Sequence, residues 1–237
     1  MLSEIEAFKK IIMKNHKVSI LSITNITHNV IQIITTKPEI YNFLPGQSTD
    51  ISINKPKWKS KRRSFTITNL PEDNYLEFII KTYPMLKGVT RELLNLEKGD
   101  ELIIHDVFGN ISYKGEGTFI AGGCGITPFI SIFKSLHSKN LIGNNKLIFA
   151  NKTKDDIILE HELKKLLGNN FINILSKEKI DGYEYGQITE DFIEKNSFRN
   201  DGVFYLCGPF KMMKSIESQL RNLNVTKQNI IKEEFTV

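Results

Sequence analysis

Ala121-Gly122-Gly123-Cys124-Gly125-Ile126-Thr127-Pro128 joins the apolar run GTFIAGG (117–123) to TPFISIFKSLHSK (127–139). The first run has the character of a fully buried strand. The second has helical spacing, and Pro128 suits a first helical turn. Glycines in such a turn permit close backbone approach, and the helix N-terminus offers unpaired N–H groups and positive dipole to a pyrophosphate. The loop departs from the usual dinucleotide fingerprint in its G-G-x-G spacing. It also lacks an acidic residue about 20 positions onward, where Asn144 and Asn145 stand. It is either a phosphate loop of another lineage or a turn that needs glycine for geometry alone.

Downstream the pattern alternates. KLIFAN (146–151), FINILS (171–176) and GVFYLCG (202–208) read as strands. LEHELKKLL (159–167), ITEDFIEKN (188–196) and KMMKSIESQLRNL (211–223) read as helices, and NIIKEEF (229–235) as a last extended segment. Strands alternating with helices predict an α/β doubly wound parallel sheet. Leu206-Cys207-Gly208-Pro209 is a second strand-to-helix turn. Both turns then fall at the carboxyl ends of parallel strands, where such sheets bind ligands. Cys207 alone reads as a small buried hydrophobe; the pair of loops points to a nucleotide site.

Upstream the chain reads as β. VSILSITNI (18–26), VIQIITT (30–36), STDISIN (48–54), SFTITNL (64–70), YLEFIIKTY (75–83) and ELIIHDV (101–107) are short and β-branched, with Pro38, Pro45-Gly46, Pro56 and Pro71 between them. This predicts a small antiparallel β-barrel or sandwich, interrupted by one helix, VTRELLNL (89–96). Ser3 and Glu6 form a capping-box pattern ahead of Ile5, Phe8 and Ile12, which predicts a short N-terminal helix. The expected organisation is two domains: a helical extension over 1–17, a β-barrel domain over 18–115 and an α/β domain over 116–237.

The 237 residues are 40% hydrophobic and 25% charged, ordinary values for a globular protein. No run approaches the ~20 apolar residues that span a bilayer, and charged residues interrupt the N-terminus, so neither stable membrane insertion nor a signal peptide is expected. Two cysteines allow no disulfide framework, which fits a cytoplasmic location. There is no H-E-x-x-H or C-x-x-C, and the five histidines are scattered, so no metal site is expected.

Taken together, these motifs resemble those of the ferredoxin–NADP reductase superfamily over roughly residues 18–235, most of all its compact bacterial flavodoxin and ferredoxin reductases. Arg63-Ser64-Phe65-Thr66 resembles the R-x-[YF]-[ST] strand that binds FAD. The resemblance implies a guanidinium on phosphate, a Phe65 ring stacked on the flavin and a Thr66 hydroxyl near flavin N5. Lys87-Gly88-Val89-Thr90 resembles the second flavin motif, which serves the diphosphate. Gly122, Gly123, Gly125, Thr127 and Pro128 resemble the nicotinamide-nucleotide loop, and Cys207-Gly208-Pro209 the C-G-P motif beside nicotinamide C4. Ser176, Lys177 and Gln187 resemble the positions that read the 2′-phosphate, so NADPH is favoured over NADH. Glu233 and Phe235 resemble a terminal E-x-F element near both rings.

The implied activity is hydride transfer from NAD(P)H to FAD, followed by single-electron delivery to a small carrier. Thr66, Cys207, Glu233 and Phe235 would line the transfer path. Lys55, Lys57, Lys59, Lys61, Arg62 and Arg63 place six cations in nine residues, a segment suited to steering an acidic flavodoxin or ferredoxin. A diffusible ferric-chelate or flavin reductase, or an FAD-binding subunit that does not turn over, are the alternatives. A nucleic-acid binder using Trp58 in the basic run leaves both loops and the R-x-F-T strand unexplained.

Overall fold

The structure, a computed structural model, describes residues 15–198 and 202–234. Of the helical extension expected over 1–17, residues 1–14 lie outside these residues, as does the expected role of Phe235. The expected end of that extension is corrected, because His16 and Lys17 already pair in the first strand.

The first sheet is antiparallel, with strands β1 (His16–Thr27), β2 (Val30–Thr36), β3 (Ser48–Ile53), β4 (Arg63–Thr66), β5 (Tyr75–Lys81) and β6 (Glu101–Phe108). Its order is β4-β3-β6-β1-β2-β5, and a bridge between Ile67 and Phe78 brings the two edges together, closing the barrel. Closure removes the exposed edges that an open sheet would offer to other chains. Alternate residues fill the interior: Val18, Ile20, Ile31, Ile33, Ile51, Ile53, Leu102 and Ile104 are all buried in one cluster. The helix expected over 89–96 is a single α-helical turn, α1 (Val89–Glu92), continued by a 3-10 turn at Leu93–Asn95.

The second sheet is parallel throughout, with β7 (Gly117–Gly122), β8 (Lys146–Asn151), β9 (Phe171–Leu175), β10 (Glu184–Tyr185), β11 (Val203–Gly208) and β12 (Ile230–Glu234). The order is β10-β9-β8-β7-β11-β12. The chain winds outward from β7 through β10, then returns to lay β11 on the other side of β7. Helices cover both faces. Phe119, Phe149 and Tyr205 face α2 (Thr127–Ser138) and α3 (Glu160–Leu167), whose Phe129, Phe133, Leu163 and Leu167 join the same core. Ile120, Ile148, Phe204 and Leu206 face α4 (Glu190–Asn196) and α5 (Phe210–Asn222). Period-two alternation thus splits each strand between two helical layers.

Candidate functional site

The reversal of winding at β7 and β11 makes a crevice at the carboxyl ends of these strands. Both glycine turns end there. A cavity of about 380 Å³ opens above them, lined by residues that include Gly122, Gly123, Cys124, Ser176, Gln187 and Pro209. Gly123 has φ +51, and a Cβ there would meet nothing within 4 Å, so its backbone is bare toward ligand. The other glycines of the motifs serve the protein itself. A Cβ on Gly125 would lie 2.1 Å from the Cys207 carbonyl oxygen, and one on Gly122 would lie 2.5 Å from Met212 Sδ. Gly208 is likewise packed against Met212 and Gly122. The two turns are therefore locked together, and part of their glycine content reflects that contact.

The remaining nucleotide-loop residues are more enclosed than the sequence implied. Thr127 is buried, with its hydroxyl 3.1 Å from Thr66 Oγ1 and donating to the Cys124 carbonyl at 3.0 Å. Pro128 is buried in the first turn of α2. Cys207 is fully buried, and burial, followed by the Glu233 charge, pushes its thiol well up. Burial likewise raises the Cys124 thiol to about 11. Both are neutral thiols at physiological pH and weak nucleophiles. Cys207 pairs in register with Ala121 on one side and Glu233 on the other. Among the described residues, Glu233 Oε2 is buried without a hydrogen-bond partner, and burial raises its carboxyl.

Further cleft residues come from elements that no motif marks. Asn29, Val30 and Lys81 reach in from the barrel; Lys152, Asp156 and Lys211 come from the loop after β8 and from α5. Asp156 caps the turn at Lys154–Asp156, accepting from the Thr153 N–H and hydroxyl, and stands 3.7 Å from His28 Nε2. Ser176 and Gln187 line the cleft, whereas Lys177 does not; its exposed side chain leaves from a backbone whose N–H donates to the Lys152 carbonyl. Asn145, which stands where the dinucleotide fingerprint carries an acid, is buried and holds the Gly117 N–H and Tyr113 hydroxyl.

On the barrel, the Arg63 side chain is exposed, with one nitrogen donating to the Arg62 carbonyl. The Ser64 hydroxyl donates to Asp50 at 2.7 Å, and Phe65 is partly buried against the barrel core. The Thr66 hydroxyl is buried between Thr127 and Ser48 Oγ, the latter at 3.3 Å. Lys87 is exposed, Val89 belongs to the core and Thr90 is half-buried. Gly88 has an extended φ of −172° and nothing within 4 Å of a Cβ. Neither sterics nor backbone angle asks for glycine there, so the open space beside it fits a close-lying ligand group. That space, and the partnerless Glu233 oxygen, fit a flavin nucleotide on the barrel.

Two family models match in tandem: an FAD-binding domain over residues 14–106 and an oxidoreductase NAD-binding domain over residues 119–218. The chain belongs to the ferredoxin–NADP reductase superfamily. Within this superfamily it is 25% identical over 214 residues to flavohemoprotein A of Dictyostelium discoideum, covering 83% of this chain and 53% of that protein. It is 29% identical over 235 residues to NADH-cytochrome b5 reductase 1 of Aspergillus terreus, covering 86% of this chain and 76% of that protein. The chain thus spans about half the length of the flavohemoprotein. Its fold matches a ferredoxin NADP+ reductase from Neisseria gonorrhoeae with bound FAD and NADP, at TM-score 0.83 and 18% identity, over 94% of this chain and 99% of that one. The cofactors of the superfamily, FAD and a nicotinamide nucleotide, each have their domain here. No helix among the described residues is long and apolar enough to cross a membrane.

Proposed function

We propose that the protein passes reducing equivalents from NAD(P)H, with NADPH ahead of NADH, through FAD to a small one-electron carrier protein. This reading is supported by the meeting of three motifs: both glycine turns converge at the β7–β11 crevice, and Thr127 joins them to Thr66 of the R-x-F-T strand. FAD held there would supply the conversion from two-electron to one-electron transfer.

The protein's own residues position and enclose. Arg63, Lys87, Thr90 and the amides following Gly88 would hold the flavin diphosphate, and Phe65 and Ser64 would border the flavin. Gly122, Gly123 and Pro209 admit the nucleotide backbone, with Gly125, Thr127, Pro128 and Gly208 bracing the loops behind them. Cys207, neutral and buried, packs behind the turns, and Glu233, its register partner on β12, supplies a half-buried carboxyl beside it. Lys81, Lys152 and Lys211 around the cleft, together with Ser176, Gln187 and the nearby Lys177, favour the more anionic nucleotide.

For the carrier, the basic run supports an acidic flavodoxin or ferredoxin. Lys55 is paired with Asp100 at 3.2 Å, and Lys61 lies 4.4 Å over the Trp58 ring. Lys57 and Lys59 are exposed and serve as the steering charges. The names of the sequence relatives favour a second reading, a heme protein as acceptor. Steady-state reduction of a ferredoxin, a flavodoxin and a cytochrome b5 across a salt series separates the two. Replacing Lys57 and Lys59 by glutamine should raise the apparent KM for the acidic carrier at low salt. An unchanged salt dependence would remove the docking role.

A further inference from the structure

Thr127, Ser131 and Lys134 are spaced four and three residues apart, so they share one face of α2. Each is bonded to a different element of the barrel. Thr127 Oγ1 lies 3.1 Å from Thr66 Oγ1 on β4; Ser131 Oγ accepts the Gly46 N–H at 2.9 Å; Lys134 Nζ lies 2.9 Å from Glu77 Oε1 on β5. The helix begins at the nucleotide loop, so its first contact sits at the reaction centre and its last about 10 Å away along the axis.

The far contact is the ionic one. Glu77 is 5% exposed, and its carboxylate also accepts from Thr68 Oγ1 at 2.7 Å and Gln32 Nε2 at 2.9 Å. An anion so enclosed needs a cation and aligned donors to offset its lost hydration. Among the described residues, Lys134 is the cation that forms an ion pair with it. Between the polar contacts, Val30, Ile79 and Ile111 of the first half share a core with Ile126, Phe129 and Phe133. That apolar contact is non-directional and tolerates sliding. The ionic and hydroxyl contacts are directional.

We propose that the Glu77–Lys134 pair is the outer anchor of a three-point strut on α2 that fixes the angle between barrel and α/β sheet, and so the approach of nicotinamide to flavin. Both are positioning residues for the reaction proposed above, on which the inference rests. Neither touches the nucleotide cleft. With the outer anchor released, the helix can rock about Thr127. Hydride transfer is sensitive to misplacement of about 1 Å, so transfer suffers while nucleotide affinity does not.

The test compares wild type, Lys134→Met and Lys134→Arg as FAD-loaded full-length protein. Anaerobic stopped-flow with NADPH and NADH separates the limiting rate of flavin reduction from nucleotide Kd. Spin labels on Lys59→Cys and Lys179→Cys, in a Cys124→Ser background, report the distance between the two halves in each variant. The methionine variant should lose about tenfold or more in limiting rate with Kd unchanged and a broadened distance distribution, and arginine should restore both. An unchanged limiting rate, or a distribution as narrow as that of wild type, would overturn the proposal. If wild-type flavin is not reduced by either nucleotide, the reductase reading fails. The distance measurement then decides the strut alone, broadening supporting it and no change refuting it.

Discussion

Gly125 sits directly on the backbone of Cys207: a Cβ at residue 125 would fall 2.1 Å from the Cys207 carbonyl oxygen and 2.6 Å from the Gly208 nitrogen. The two nucleotide turns are therefore one packed unit. Gly125→Ala forces backbone against backbone and should lower unfolding free energy by about 3 kcal/mol, with loss of nucleotide binding. Gly123→Ala, strained by its positive φ alone, should cost about 1–2 kcal/mol. Chemical denaturation of both variants checks the order.

Gly88 supplies the opposite case. With an extended backbone and open space around it, Gly88→Ala should leave apoprotein stability within about 0.5 kcal/mol. FAD retention should nonetheless fall, because the added methyl would enter the open space that the proposed function gives to the diphosphate. Isothermal titration with FAD reads this directly, and unaltered FAD affinity would take Gly88 out of the flavin site.

How much of this was legible beforehand follows from residue type. The alternation of strands and helices after residue 117 is visible because each strand is a continuous apolar run and each helix has a polar face. β10 escaped notice because Glu184 and Tyr185 are two exposed residues with no pattern to read. The cleft's glycines were visible through their spacing. Asn29, Lys81, Asp156 and Lys211 were not, since they are ordinary polar residues brought in by the β1–β2 hairpin, the end of β5, the loop after β8 and the start of α5. Thr66 and Thr127 were each singled out for a cofactor; only folding shows that they bond to each other.

Glu233 gives a pH signature. Burial raises its carboxyl above the ordinary glutamate range, so the folded state holds its proton more tightly than the unfolded state does. The stabilising contribution is complete below the unfolded value and is lost as pH rises through the folded one. Glu233→Gln keeps a neutral group at all pH values. Its stability relative to wild type should therefore rise with pH across that window, as measured by denaturant titrations at matched salt. A pH-independent difference would contradict a raised carboxyl.

The thiols offer a simpler check. With Cys124 pushed up to about 11 and Cys207 higher than usual and fully buried, neither forms much thiolate near neutral pH. Iodoacetamide should label the native protein slowly and the denatured protein at both cysteines, as counted by mass spectrometry. Rapid native labelling of Cys207 would show that the junction opens.

On the proposed function, the two halves of the chain together carry electrons from nicotinamide to flavin. The most direct measurement is the visible spectrum of the FAD-loaded protein under anaerobic conditions as NADPH, then in a separate sample NADH, is added. The flavin bands should bleach with either nucleotide, and faster with NADPH. A protein that takes up FAD yet keeps an unchanged oxidised spectrum with both would contradict that function.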